Sequence, residues 1–427
     1  MSLSRIASYG RLKPLEVDKS GGRDSGKRVT AFDETAGVVE MSDKRFDHFN
    51  GVLRPDANQE HVYQTIAQPL VRQWIDGHDV DIISYGQTGS GKTFTMFGPP
   101  FSMKKAAESL GRGDGGRISC DGILREEHGI ILRAGFEALA ACQALNARGC
   151  RAVLHGSMVE MTIMSLTNQS VSDLLNGMKV CFVDKQHHLQ GALMMPIASS
   201  ADLVHIAAAV ETRLTRGTKM NDTSSRSHCV TTFTLSLLEN DMLRQSRLQF
   251  FDLMGSERFK GANAAHNERA SSKSSAGGWE GIYANLSLSS LMSAVDLAAQ
   301  ERRRGGKAKK QANAMLNFCL TDLLQGSLMG SALTAMITCL SQAPRNGDET
   351  YLSLKYGAGM AKLLNNPAPQ RQKPYKKVLE NARKQLAKVQ AVVARGVNGK
   401  YQALREAEVT QWDQLCKMLE LLQTGTA

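Results

Sequence analysis

Gly86-Gln87-Thr88-Gly89-Ser90-Gly91-Lys92-Thr93 fits the pattern G-x-x-x-x-G-K-[ST] at every required position. The chemistry of phosphate binding needs these residue types. Glycines let the backbone curl so that successive N–H groups point inward at anionic oxygens. Lys92 would bridge the β- and γ-phosphates of a nucleotide, and the Thr93 hydroxyl would hold Mg²⁺. The context agrees: residues 79–85 read as a buried strand running into the loop, and the helix that follows presents its positive end to the anion. A glycine-rich turn with no ligand is the alternative that the rest of the chain has to exclude.

On either side of the loop, apolar runs and helical periodicities alternate. Upstream, residues 6–9 predict a short first strand, and residues 38–41 and 45–49 predict edge strands. Residues 59–77 predict an amphipathic helix, with Val62, Ile66, Leu70 and Trp74 at intervals of four and Gly77 as its stop. Downstream, residues 99–128 carry many glycines without periodicity and read as a surface loop. Helices are predicted over 130–146, 201–215, 285–299, 316–324 and 350–364, and strands over 152–163, 178–183, 229–238, 247–253 and 333–340. Alternation around a phosphate loop predicts an α/β fold, a three-layer P-loop NTPase sandwich with helices on both faces.

This unit is expected to span residues 1–365. Residues 366–374, with three prolines, read as a linker or neck, and residues 375–427 as a helical extension split by Gly396-Val397-Asn398-Gly399. Trp412, Leu415, Leu419 and Leu422 form a stripe too short for a convincing coiled coil. A hairpin docked on the main body, or a helical partner or dimer contact through 375–427, would each use it.

The chain has 427 residues, enough for a sizeable core, and its 42% hydrophobic and 22% charged content is that of a globular protein. A net charge of +11 points to an acidic partner. Eight scattered cysteines without a C-x-x-C argue against a disulfide framework or zinc site and fit a reducing compartment. Met1 to Arg5 lack a secretory apolar core, and no stretch has the length of a membrane span, so no membrane insertion is expected. The expected location is cytoplasmic, with the nucleus as the alternative.

Two further stretches supply groups that could read a γ-phosphate. Residues 221–228, Asn-Asp-Thr-Ser-Ser-Arg-Ser-His, offer hydroxyls to complete a Mg²⁺ shell and position a water. Residues 252–258, Asp-Leu-Met-Gly-Ser-Glu-Arg, follow an apolar strand. There Asp252 can reach Mg²⁺ and Gly255 lets a backbone N–H approach the phosphate. Arg226 and Glu257 carry opposite charges, and their pairing could report loop closure.

With these three stretches the sequence resembles the kinesin motor domain over roughly residues 5–365. Residues 85–96, Y-G-Q-T-G-S-G-K-T-F-T-M, look like that family's extended phosphate loop. Residues 221–228 resemble its switch I, N-x-x-S-S-R-S-H. Residues 252–257 resemble its switch II, D-L-A-G-S-E, with Met254 for alanine. Residues 285–291 look like the start of the switch II helix. Arg11 to Pro14 are similar to the adenine-pocket R-x-R-P, with Lys13 for arginine, and residues 349–362 resemble the final motor helix.

The resemblance implies a central, mostly mixed sheet and MgATP hydrolysis coupled to binding of microtubules, hence a place on the cytoskeleton or spindle. It implies that Arg11, Pro14, Gln87, Thr88, Gly89, Ser90, Gly91, Lys92, Thr93 and Phe94 bind ATP, and that Thr93, Ser225 and Asp252 hold Mg²⁺. Ser224 and Ser225 would handle water and metal. Arg226 and Glu257 would close the switches, with Glu257 also relaying a proton and Gly255 facing the γ-phosphate. His228 either takes part or merely packs. Catalysis would be positioning and electrostatic stabilisation.

The track-binding face departs from the family pattern. Residues 259–281 look longer than usual and carry Lys260. Residues 301–310 hold six cations in ten positions, Arg302, Arg303, Arg304, Lys307, Lys309 and Lys310, and resemble the basic insertion that grips acidic tubulin tails. The next helix has Met315-Leu316-Asn317-Phe318-Cys319-Leu320-Thr321-Asp322 where the family reads Y-R-D-S-K-L-T-R, which predicts weaker fixed ion pairing and repulsion at Asp322. A non-motile kinesin-fold binding module with nucleotide as a switch is therefore the second reading. A nucleic-acid-stimulated ATPase explains the charge but gives no reason for residues 221–228, so a nucleic-acid partner is not expected.

Overall fold

The computed structural model describes residues 3–15, 26–42, 44–100, 102, 124–163, 169–184, 187–213, 227–256, six positions within 287–295, 318–397 and 399–424. Its twelve-stranded main sheet runs from Leu189–Gln190 through Val180–Val183, Gln169–Asp173, Arg151–Ile163 and Ser227–Glu239 to Met242–Asp252. It continues through Val80–Tyr85, Leu333–Leu340 and Ala7–Leu12 to Gly51–Leu53, with two short strands pairing off this path. From Met242–Asp252 to Gly51–Leu53 the pairing is parallel, and the pairs among Val180–Val183, Gln169–Asp173, Arg151–Ile163, Ser227–Glu239 and Met242–Asp252 are antiparallel, so the sheet is mixed.

All six residues of Val80–Tyr85 are buried, because helices cover both faces. Alternation sorts the side chains. Val80 and Ile82 join Phe250, Ala335 and Ile337 against Gln59–Ile75, Ile130–Ala147 and Ser200–Ala208. Ile83 and Tyr85 join Phe251 and Met336 against Cys319–Leu323 and Gly347–Met360. The two cores are the two sides of a three-layer sandwich, as the element pattern predicts.

The predicted helix over 59–77 is broken in register: α-helix over Gln59–Val62, a π-helical turn over Tyr63–Ala67, then α-helix over Gln68–Ile75. Pro69 has no N–H to give the preceding turn, and the wider π turn absorbs that loss. Gly77, at φ +105°, ends the run with its N–H on the Trp74 carbonyl. The predicted edge strands 38–41 and 45–49 are instead part of a separate three-stranded sheet, Val29–Asp33, Val38–Met41 and Lys44–Phe46. Its apolar face (Val39, Met41, Phe46) packs on Leu12, Leu340 and Leu354. Most of the segments read as the surface loop 99–128 and the helix 285–299 lie outside the described residues.

Residues 366–374 lie along the body. Gln370 donates its N–H to the Gly77 carbonyl at 2.7 Å, Pro369 bridges His78, and Lys373–Pro374 pairs with Met242–Leu243. The helices Tyr375–Ala394 and Gly399–Thr424 then form a hairpin whose apolar seam is turned onto the chain's own sheet. Leu419 and Leu422 are buried with Val153, Leu238 and Leu243, and Trp412 and Leu415 pack beside them. Tyr375 Oη donates to the Leu419 carbonyl at 2.8 Å, and Gln411 and Gln414 accept the backbone N–H groups of Gly191 and Met194. The Trp412 stripe is therefore occupied within the chain. Leu419→Asp puts a charge into this seam, and we expect hydrogen exchange to show loss of amide protection across 375–424 ahead of the sheet, at a cost of at least about 3 kcal/mol. Unchanged protection there would refute the docking.

Candidate functional site

The phosphate loop leaves the carboxyl end of Val80–Tyr85, beside the carboxyl end of the parallel strand Met242–Asp252, where Asp252 is in register with Ser84. This is the position at which open α/β sheets bind ligands. Gly86, Gly89 and Gly91 have φ of +147°, +77° and +101°, in or near the left-handed region that favours glycine. A Cβ on Gly86 would stand 2.4 Å from the Cys339 carbonyl oxygen, whereas space is open within 4 Å at Gly89 and Gly91. The loop is thus a concave, backbone-lined cradle. The helix that follows, Lys92–Met96, has five residues, so little dipole stands behind it. The cradle's attraction for an anion rests on its N–H groups and on Lys92.

Lys92 is 7% exposed and its Nζ donates to the Gln87 carbonyl at 2.8 Å. Thr93 Oγ1 donates to Asp252 Oδ2 at 2.7 Å, joining residues 159 positions apart. Ser84 Oγ meets the other oxygen, Asp252 Oδ1, at 3.3 Å. The Ser256 N–H donates to the Gly86 carbonyl at 3.1 Å, tying the turn that contains the buried Gly255 to the loop. Ser90 Oγ and Gln87 Oε1 are buried without a hydrogen-bond partner among the described residues. Buried orphan polar atoms in an open cradle fit a polar ligand there. Thr93 and Asp252 present hard oxygen donors side by side, a set that fits Mg²⁺. No cluster of three His, Cys, Asp or Glu side chains able to hold a metal occurs among the described residues.

Beside the cradle, Arg11 is the penultimate residue of the strand Ala7–Leu12. Its guanidinium donates to Gln59 Oε1 at 2.9 Å and Thr95 Oγ1 at 2.7 Å, and lies 5.4 Å from the centre of the Phe94 ring. Burial lowers its pKa from the usual value. Phe94 is 42% exposed and Pro14 is exposed, so an apolar face lies open next to a fixed cation.

The sequence reading missed a buried charge network behind Asp252. Arg213, just past the helix Ser200–Ala208, reaches Glu160 Oε1 with Nε at 3.3 Å and Asp252 Oδ2 with Nη1 at 3.6 Å. Its Nη2 donates to the Ser227 carbonyl at 2.8 Å, and Ser227 Oγ donates to Glu160 at 2.6 Å. Burial opposes the charge on Arg213, but Cys229, Asp252 and Glu160 outweigh it and its pKa is raised. A usable signal existed: Glu160 interrupts an apolar strand and Arg213 sits near the end of an apolar helical run, and buried charges are paired.

His228 is fully buried, and burial, then Arg213 and Lys92, hold its pKa down at about 3. The ring is neutral. Nδ1 accepts the Met254 N–H at 3.3 Å, which leaves Nε2 protonated to donate to Ser287 Oγ at 3.3 Å. His228 thus joins its strand to the turn after Asp252 and to the segment beginning at Ser287. Asp322, read as repelling an acidic surface, contacts His187 Nδ1, while the preceding Cys319 N–H is held by Gln169 at 2.8 Å. Ser224, Ser225, Arg226, Glu257, Lys260, Arg302, Arg303, Arg304, Lys307, Lys309 and Lys310 lie outside the described residues, as do residues 221–223 and 315–317.

The model of the kinesin motor domain matches residues 16–363. Kinesin-like protein K39 of Leishmania chagasi is 30% identical over 90% of this chain and 43% of its own length. Kinesin-like protein klp-20 of Caenorhabditis elegans is 30% identical over 80% of this chain and 48% of its length. This chain therefore spans less than half of either relative. A solved structure of a fast kinesin superposes with a TM-score of 0.67 at 21% identity, covering 86% of this chain and 94% of that one. It has the same P-loop NTPase sandwich. No described helix is long and apolar enough to cross a membrane.

Proposed function

The chain belongs to the kinesin motor family, and from that premise we propose that it hydrolyses MgATP and couples the cycle to microtubule binding and to force or movement. The observation that carries this reading is the 2.7 Å contact of the Thr93 hydroxyl with Asp252, beside the buried ammonium of Lys92. It brings the loop that would hold the nucleotide against the strand end that would sense its last phosphate.

In this proposal residues 1–365 are the motor, 366–374 its neck and 375–427 a helical extension. The loop N–H groups and Lys92 bind and orient the phosphates, while Arg11, Pro14 and Phe94 border the base. Thr93, Ser225 and Asp252 hold Mg²⁺, which when bound offsets negative charge on the phosphates. Ser224 and Ser225 place the attacking water, Gly255 leaves room for the γ-phosphate, and the Arg226–Glu257 pair closes over it. Glu257 also takes a proton through a second water. Arg213 acts by position, holding Asp252 where Thr93 meets it. The cation run 302–310 and Lys260 meet the acidic tails of tubulin, placing the protein in the cytoplasm on microtubules.

Turnover measured against tubulin-polymer concentration tests this. The wild-type chain is expected to be stimulated, and a variant with Arg302, Arg303, Arg304, Lys307, Lys309 and Lys310 neutralised to need about tenfold more polymer for the same rate. Equal polymer dependence would remove the run from the interface. The absence of any stimulation in the wild type would favour the second reading, a nucleotide-switched binding module. That reading has its own support: Cys319–Leu323 carries no basic residue, and Asp322 is engaged by His187.

A further inference from the structure

At the far end of the sheet from the cradle is a cleft of about 690 Å³ between the small three-stranded sheet, the amino end of the Ala7–Leu12 strand and the helix Gly347–Met360. Its charge is one-sided: Arg5, Lys44, Arg45, Lys355 and Lys362 line it, against Asp47 as the one lining carboxylate. Lys44 is partly engaged, donating to Tyr351 Oη at 3.3 Å, and Arg45 is 3.5 Å from Glu40. Arg5, Lys355 and Lys362 make no side-chain hydrogen bond or ion pair with any described residue. Lys355 and Lys362 are seven positions apart, two turns along one face of the helix and its continuation, so they aim at the same side. Five like charges gathered around one lining carboxylate cost the folded chain electrostatic energy that an anionic occupant would relieve.

We propose that this cleft binds an acidic peptide segment of a partner protein. Its five cations come from three separate stretches around a volume suited to a short chain, whereas a single phosphate would call for donors converging on one point. The floor is apolar, with Phe46 and Phe49 buried beneath the basic rim, as a peptide backbone and its aliphatic stems would need. His48, stacked on Phe49 with ring centres 4.0 Å apart, is held neutral near a pKa of 4 by burial and by Lys362, and so leaves the charge to the rim. The cleft also adjoins the ladder Arg5–Leu364, beyond which Asn366 begins the segment leading to the docked hairpin. An occupant would lie against the root of that segment. The inference does not depend on the motor reading, since neither tubulin polymer nor turnover enters its test.

The probe is a fluorescently labelled oligoglutamate peptide, followed by anisotropy on the full chain with the six cations of 302–310 neutralised, so that this run cannot answer for the cleft. We expect saturable binding that weakens as salt rises, and about tenfold weaker binding in Lys355→Glu/Lys362→Glu, whose side chains are exposed and make no described bond. Arg5→Glu, on a different stretch, should weaken it in the same direction and guards against misfolding of the double variant. No binding, equal binding in these variants, or displacement of the peptide by equimolar inorganic phosphate would overturn the proposal, the last by making the cleft a phosphate site.

Discussion

Lys92→Ala is expected to lower ATP turnover by about 10³-fold, the scale seen when one preorganised donor to a developing negative charge is removed. Phosphoryl transfer spreads charge over the oxygens of the migrating group, and the protein's part is to meet that charge with groups already in place. Lys92 is such a group: nearly buried and fixed by the Gln87 carbonyl at 2.8 Å. Among the described residues, the nearby cations are committed elsewhere. Arg11 is tied to Gln59 and Thr95, and Arg213 to Glu160, Asp252 and Ser227. Neither can swing in without breaking a buried contact. Folding should change little, by about 1 kcal/mol for the hydrogen bond lost. Single-turnover phosphate release, with a thermal melt as the folding control, measures both. A variant within tenfold of wild type would show that Lys92 does not meet the transferring phosphate.

The sandwich was legible because its signals are local and redundant. The run of apolar residues into Gly86, the period of four from Val62 to Trp74 and the apolar stretch ending at Leu340 each name an element without reference to the others. The cradle was legible for the same reason, since Gly86, Gly89 and Gly91 are needed for their backbone angles whatever surrounds them. Partnerships across long sequence separations were less so. Pro69 is visible in the sequence, but whether a helix kinks, ends or takes a π turn depends on packing. Residues 38–41 and 45–49 read as β, yet only the tertiary fold decides that 38–41 and 44–46 join a separate sheet. The stripe at Trp412 fits a partner helix or the chain's own sheet equally well as a pattern. Pairing of Lys373–Pro374 with Met242–Leu243, next to the start of the hairpin, sets where that hairpin can fold back.

Arg213→Met is expected to destabilise the fold by about 3–5 kcal/mol, because it strands two buried carboxylates. The side chains of Arg213, Glu160 and Asp252 are 2%, 4% and 3% exposed, so water cannot replace the lost cation. Methionine fills most of the volume, which makes charge rather than a cavity the source of the loss. Ser227 Oγ still donates to Glu160, but a neutral hydroxyl offsets little of a buried negative charge. Adding Glu160→Gln to Arg213→Met should therefore recover part of the stability, whereas Glu160→Gln alone should cost stability, because the one carboxylate left to Arg213 is then Asp252, at the longer distance of 3.6 Å. Denaturant midpoints of the wild type, both single variants and the double variant give the coupling directly. Additive losses would mean that the three side chains do not act as a unit. The same cycle bears on the nucleotide site. Asp252 meets Thr93 with the oxygen that also faces Arg213, so removing the guanidinium frees that carboxylate to turn. Retained stability with a sharply raised Mg²⁺ requirement would locate Arg213's role in aiming Asp252, and a loss of both would locate it in the core on which that aim depends.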